Sequence, residues 1–71
     1  MARTHNLDLF IRRRDLGVTQ ADMAQALGFN DKTRVSKFER GQGTLPGGLT
    51  REDYLRALEE LVRERLEGAL A

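Results

Sequence analysis

The side chains best suited to chemistry lie between Lys32 and Thr44. Lys32, Thr33, Arg34, Ser36, Lys37 and Arg40 fall within nine residues, and Gln42 and Thr44 follow them. Lysine and arginine donate to phosphate oxygens and to guanine O6 and N7, while serine and threonine serve either a base edge or a phosphate. A cationic helix face is more often simply solvated, so the basic residues alone raise a nucleic-acid reading only modestly. No catalytic group competes with them. The single histidine, His5, stands in a polar N-terminal arm with no neighbours of a metal-ligand type, so neither catalysis nor a metal site is expected. The glycines of GQGTLPGGLT, residues 41–50, follow no strand and precede no Gly-Lys-Ser/Thr, which argues against a phosphate-cradling P-loop.

Two short helices are needed to present this set. Thr19 can accept from a first-turn N–H, and Gln20 through Leu27 are tolerable or good helix formers. Gly28 then stops that helix, and Phe29 can turn back onto the core. Ala24, one turn before the glycine, is small enough to let a second helix approach. Asn30 or Asp31 would cap that second helix, expected over about Asp31–Arg40. In it Val35 and Phe38 stand three apart and define a buried face, opposite Thr33, Ser36, Lys37 and Arg40, with Lys32 and Arg34 flanking. Spacing alone would also allow an ordinary helical hairpin.

The order TQADMAQALG followed by VSKFERG resembles the Cro and lambda-repressor type of helix-turn-helix, the XRE-type family of small bacterial and phage regulators. The likeness covers about Leu9 to Leu61, and the combined motif is more specific than any of its pieces. One departure stands out. Between Phe29 and Val35 the chain has five residues where the commonest family spacing has four, which leaves open which of Lys32, Thr33 and Arg34 points at a base. The resemblance implies that Gln20 contacts a phosphate or supports the recognition helix, and that Thr33 and Lys37 face the major groove with Lys32, Arg34 and Ser36 close by. It places Arg40, Gln42 and Thr44 on the DNA backbone. It also pairs Glu39 with an arginine of the first helix, for which Arg13 is the best match, as an architectural contact of small net worth.

The remaining chain sets limits on this reading. Seventy-one residues allow one small domain with a thin core, near the size at which oligomerisation or very good helix packing is needed. The absence of cysteine removes disulfides and cysteine-based zinc sites and fits a reducing compartment. No apolar run approaches a membrane span or a signal-peptide core, since Leu9-Phe10-Ile11 meets Arg12-Arg13-Arg14 at once. Net charge is only +1, but it is divided: eight Lys or Arg oppose five Asp or Glu up to Gln42, and four oppose six from Gly43 onward. Such polarity suits a DNA face on one side and another role on the other.

A first helix is expected over about Asn6 to Leu16, with Leu7, Leu9, Phe10 and Ile11 supplying apolar contacts and Gly17 ending it. Its apolar run is too dense to fix which face is buried. Residues 41–50, with four glycines and the only proline, read as a loop, with Leu45 or Leu49 closing over the core. Thr50 then caps a long final helix with acids in its first turn. Tyr54, Leu55, Leu58, Leu61, Val62, Leu66 and Leu70 follow three- and four-residue spacings along it. The part through about Leu61 is expected to complete the core, while Val62, Leu66 and Leu70 extend beyond what so small a core can cover, and a two-fold dimer contact through Leu61, Val62, Leu66 and Leu70 would explain the excess.

These readings predict one all-α domain over residues 1–71. It is expected to be a four- to five-helix, lambda-repressor-like domain with its helix-turn-helix at about 19–40 and a long C-terminal helix at about 51–68. The function expected with the resemblance is sequence-specific binding of duplex DNA through the major groove, as a homodimeric repressor on a palindromic operator. No cofactor, metal, small-molecule ligand, membrane contact or catalytic step is expected, and the expected location is the cytoplasm, on the nucleoid, in a bacterial, phage or plasmid setting. The alternative is an antitoxin-like or adaptor protein that uses the same fold mainly to bind another protein through the C-terminal helix.

Overall fold

The computed structural model describes residues 6–70, and His5 lies outside them. Over this range the chain is all-helical: α1 Leu7–Asp15, α2 Gln20–Leu27, α3 Lys32–Glu39 and α4 Arg51–Leu70, with a single 3₁₀ turn at Pro46–Gly48 before α4. The ten-residue loop expected from composition thus contains one short helical turn, which starts at the proline whose fixed φ favours it.

Local hydrogen bonds set the helix starts. The Thr19 hydroxyl accepts from the Asp22 N–H at 3.0 Å and the Asp22 carboxylate accepts from the Thr19 N–H at 3.2 Å, a reciprocal cap on α2. Thr50 and Asp53 repeat the arrangement at the start of α4. Asp31, rather than Asn30, caps α3 by accepting from the Thr33 N–H at 2.9 Å. The stop of α2 depends on Gly28, whose φ of 96° lies where a side chain is strained. That geometry lets the Phe29 N–H reach back to the Ala24 carbonyl at 3.0 Å.

α2 packs against both α3 and α4, and α1 packs against α3. The core between them is Leu9, Val18, Met23, Ala24, Val35, Phe38, Leu45, Tyr54 and Leu58, with Leu61 and Val62 partly buried beside it. The apolar contacts expected of α1 are narrower than its sequence suggests. Leu9 is buried and Phe10 half-buried, whereas Leu7 and Ile11 are exposed, because the rest of the domain covers only one side of this helix. α4 runs two residues further than expected, to Leu70. Along it Leu61 and Val62 rest on the domain's own core, while Leu66 and Leu70 are exposed at 60% and 85%.

Candidate nucleic-acid interface

The inward face of α3 fixes its orientation. Val35 and Phe38 are buried, as is Glu39 at the last turn, and the Phe38 ring lies 6.1 Å from that of Tyr54. Glu39 is the convergence point of three other helices. Its carboxylate accepts from Arg13 Nε at 2.7 Å, from Arg13 Nη2 at 3.0 Å and from Gln20 Nε2 at 3.3 Å, and the Tyr54 hydroxyl also donates to it. Arg13 uses Nη1 to donate to the Val18 carbonyl at 2.7 Å. Every polar atom at the centre therefore has a partner, the condition under which a buried ion pair is tolerated. Burial pushes the Tyr54 hydroxyl pKa far up, reinforced by its bond to the Glu39 carboxylate. For Arg13, burial is the largest single influence and opposes the charge, but the hydrogen bonds and negative charge of Glu39, together with Tyr54, outweigh it and the pKa is raised.

The end of α3 is held separately. The Asn6 side-chain amide donates to the Phe38 carbonyl at 2.9 Å, and its oxygen accepts from Arg51 Nη1 at 3.0 Å. Arg51 also pairs with Asp8. Asn6 therefore joins the starts of α1 and α4 to the C-terminal end of α3.

With Val35, Phe38 and Glu39 inside, the 100° step of the helix places Thr33, Lys37 and Arg40 along the outer ridge. Lys32, Thr33, Arg34, Lys37 and Arg40 are exposed, and Ser36 is half-buried on the flank facing α1 and α2. Gly41 then brings the following loop alongside. Its φ of 76° lets the Gln42 N–H close on the Lys37 carbonyl at 2.8 Å. Gln42, Gly43 and Thr44 consequently line, with Asp31, Thr33, Arg34 and Lys37, a cleft of about 320 Å³. A Cβ added at Gly43 would lie 3.9 Å from that of Lys37, so the loop backbone runs directly beside the helix.

The sequence-predicted residues thus divide into three groups. Thr33, Arg34, Lys37, Gln42 and Thr44 share the loop-side cleft. Gln20, Ser36 and Arg40 line a different concavity, toward α1. Lys32 stands at the first position of α3 and lines neither cleft. The five residues between Phe29 and Val35 are accommodated by starting α3 at Lys32, which puts Thr33 opposite the buried side and Arg34 at its edge. Gln20 is engaged inward, on Glu39.

Charge pairing distinguishes this surface from the rest of the molecule. Arg13, Arg51, Arg56 and Arg65 each reach a carboxylate. Among the described residues, Lys32, Arg34 and Lys37 of α3 and Arg40 at its C-cap form no ion pair, and elsewhere only Arg12, Arg14 and Arg63 share that condition. The one acid in the cleft, Asp31, is directed at the start of its own helix.

Sequence reading missed Tyr54 as a partner of Glu39 and Asn6 as a tether, whereas the bond from Gln20 to Glu39 matches the supporting role, one of the two alternatives for Gln20. A tyrosine on the core-facing stripe of α4 was the available signal, since a buried phenol needs a partner for its hydroxyl. Asn6 carried none, because its partner is 32 residues away. Among the described residues no group of three His, Cys, Asp or Glu could hold a metal ion, and no helix is long and apolar enough to cross a membrane. Comparisons of the chain with protein-family models, with curated proteins and with solved structures returned no match.

Proposed function

We propose that this protein is a sequence-specific, duplex-DNA-binding transcriptional regulator of the lambda-repressor-like helix-turn-helix type, with α3 as its major-groove reader. The observation that carries this reading is the outer side of α3 and its C-cap: Lys32, Arg34, Lys37 and Arg40, without a carboxylate partner among the described residues, stand around exposed Thr33 with Ser36 on the flank, and the opposite face is locked by a satisfied buried network. A rigid helix with unneutralised donors can read base edges, and donors flanking it can hold the backbone and set the register. Thr33 and Lys37 are the base-reading candidates, with Arg34, Gln42 and Thr44 taking phosphates on the loop side. Exposed Leu66 and Leu70 support a homodimer through α4, which would place two reading helices on a palindromic operator and repress by occupying it.

Selection of bound sequences from a random duplex pool tests the reading directly. A symmetric pair of half-sites is expected, bound with an affinity that falls steeply with salt. A single asymmetric half-site would overturn the dimer, and enrichment of no sequence would overturn specific recognition. The same exposed leucines also suit a protein partner, as in an antitoxin-like or adaptor role. Size-exclusion mass with and without duplex separates the two: a dimer shifted by DNA supports regulation, and a chain that ignores DNA supports the adaptor.

A further inference from the structure

On the side of α3 away from Gln42 and Thr44 lies a second cleft, of about 220 Å³, lined by Leu7, Phe10, Gln20, Ser36, Glu39 and Arg40. Its chemistry differs from that of the loop-side cleft. Leu7 and Phe10 give it apolar walls, Glu39 is turned inward and occupied by its donors, and Ser36 supplies a half-buried hydroxyl. Arg40 is exposed and has no carboxylate partner among the described residues. Two guanidinium groups stand against the Phe10 ring: that of buried Arg13, 5.4 Å from the centroid and committed to Glu39, and that of Arg14, exposed and 5.9 Å away, which has no carboxylate partner among the described residues. At that distance the ring attracts the charge and restrains a side chain that would otherwise sweep through solvent.

Arg40 lines the cleft, and Arg14 stands outside its lining, against the Phe10 ring, so that an apolar wall has an exposed cation in the cleft and another beside the wall. A sugar–phosphate strand presents the complements of such a set. Each phosphate carries a full negative charge, and the deoxyribose between two phosphates offers a C–H surface. We infer that this cleft seats the sugar–phosphate backbone of one DNA strand, with Arg40 at the end of α3 and Arg14 of α1, beside the cleft, taking phosphates and Phe10 packing on the intervening sugar while holding Arg14 in place. The inference rests on the duplex-DNA reading and extends the contact surface from α2, α3 and the loop onto α1. With the ridge of α3 in the major groove, the polar loop-side cleft and this apolar cleft would meet the strands on either side of it. Arg12 provides an internal control, because it is equally unpaired but lines a separate concavity with Asp8, Ile11, Asp15 and Leu16.

The test uses the full chain and random-sequence duplex DNA, titrated by fluorescence anisotropy between 50 and 200 mM salt. Losing one phosphate contact should make the slope of log Kobs against log salt shallower by about 0.9, so the Arg14→Ala defect should shrink about 3.5-fold across that range. Arg14→Lys should keep the wild-type slope, Phe10→Leu should reproduce part of the Arg14→Ala change, and Arg12→Ala should leave the slope unaltered. On a duplex carrying the selected site, which fixes the register, replacing phosphates one at a time by methylphosphonate should reveal one position at which wild type and Arg14→Ala bind equally. Wild-type binding with an unchanged slope for Arg14→Ala, at an unchanged melting temperature, overturns this inference and leaves the DNA reading standing. Failure of the wild-type protein to bind any duplex overturns both.

Discussion

The two faces of α3 treat charge in opposite ways. Inward, the single carboxylate of Glu39 accepts from Arg13, Gln20 and Tyr54, which belong to α1, α2 and α4. Outward, Lys32, Arg34, Lys37 and Arg40 have no carboxylate partner among the described residues. Leaving Glu39 partly unanswered would cost several kcal/mol of desolvation, so its partners are fixed and α3 is fixed with them. The exposed cations are hydrated at little cost and remain available to an anionic partner. One face therefore sets where the helix points, and the other supplies what it offers.

The largest effect should come from breaking the inward face. Glu39→Ala leaves the Arg13 guanidinium buried without its partner, and urea denaturation should show a loss of about 3–5 kcal/mol. A loss below about 1 kcal/mol would mean that the network does not anchor α3.

Tyr54 reports on the same face at high pH. Its folded pKa is raised, so its contribution is fully present below the ordinary tyrosine value of 10.0 and declines as pH rises above it, because only the unfolded chain ionises there. Tyr54 is the only tyrosine, so tyrosinate absorbance should appear together with loss of helical circular dichroism. Ionisation near pH 10 with the helices intact would contradict its burial. Tyr54→Phe should cost about 1–2 kcal/mol by removing one donor to a buried charge.

Breaking the outward face should separate affinity from stability. Lys37→Ala should weaken binding to a selected site by about 1–3 kcal/mol if Lys37 reads a base, with the urea midpoint unchanged. Equal losses on selected and random duplex would reassign Lys37 to a phosphate.

The smallest effect belongs to the surface pair of Arg65 and Asp22, 2.8 Å apart, which ties α4 to the start of α2. The Arg65 hydrogen bond, with help from Thr19, holds the Asp22 pKa below 3.8, so its contribution is present above that pH and disappears as pH falls through the lower folded value. Solvent screening limits it, and Asp22→Asn should cost no more than about 1 kcal/mol at neutral pH, less in high salt. A smaller loss of stability between pH 5 and pH 3 for Asp22→Asn than for wild type would confirm the sign.

Much of the helical layout was legible because its signals are local. Thr19 with Asp22, Asp31 with Thr33, and Thr50 with Asp53 are bonded within three residues of each other, and Gly28 and Gly41 act through their own φ. The spacing of Val35 and Phe38 likewise identifies the inner side of α3 without reference to the other helices. The candidate contact residues were legible as types but not as groups. No sequence interval says that Thr44 shares a cleft with Arg34 while Ser36 and Arg40 belong to another, since the division follows the path of the loop after Gly41 and the seat of α1 beside α3.

By itself, then, the sequence determined the four α-helices, the caps of α2 and α4, the stop of α2, and which side of α3 is apolar, because those are matters of hydrogen bonds and periodicity over a few residues. Only the tertiary structure decided that Leu9 rather than Leu7 or Ile11 enters the core, that Gln20 and Tyr54 join Arg13 on Glu39, and that Asn6 holds the end of α3. Each of these depends on groups brought together from distant parts of the chain, where burial and the need to satisfy every buried polar atom select the partner.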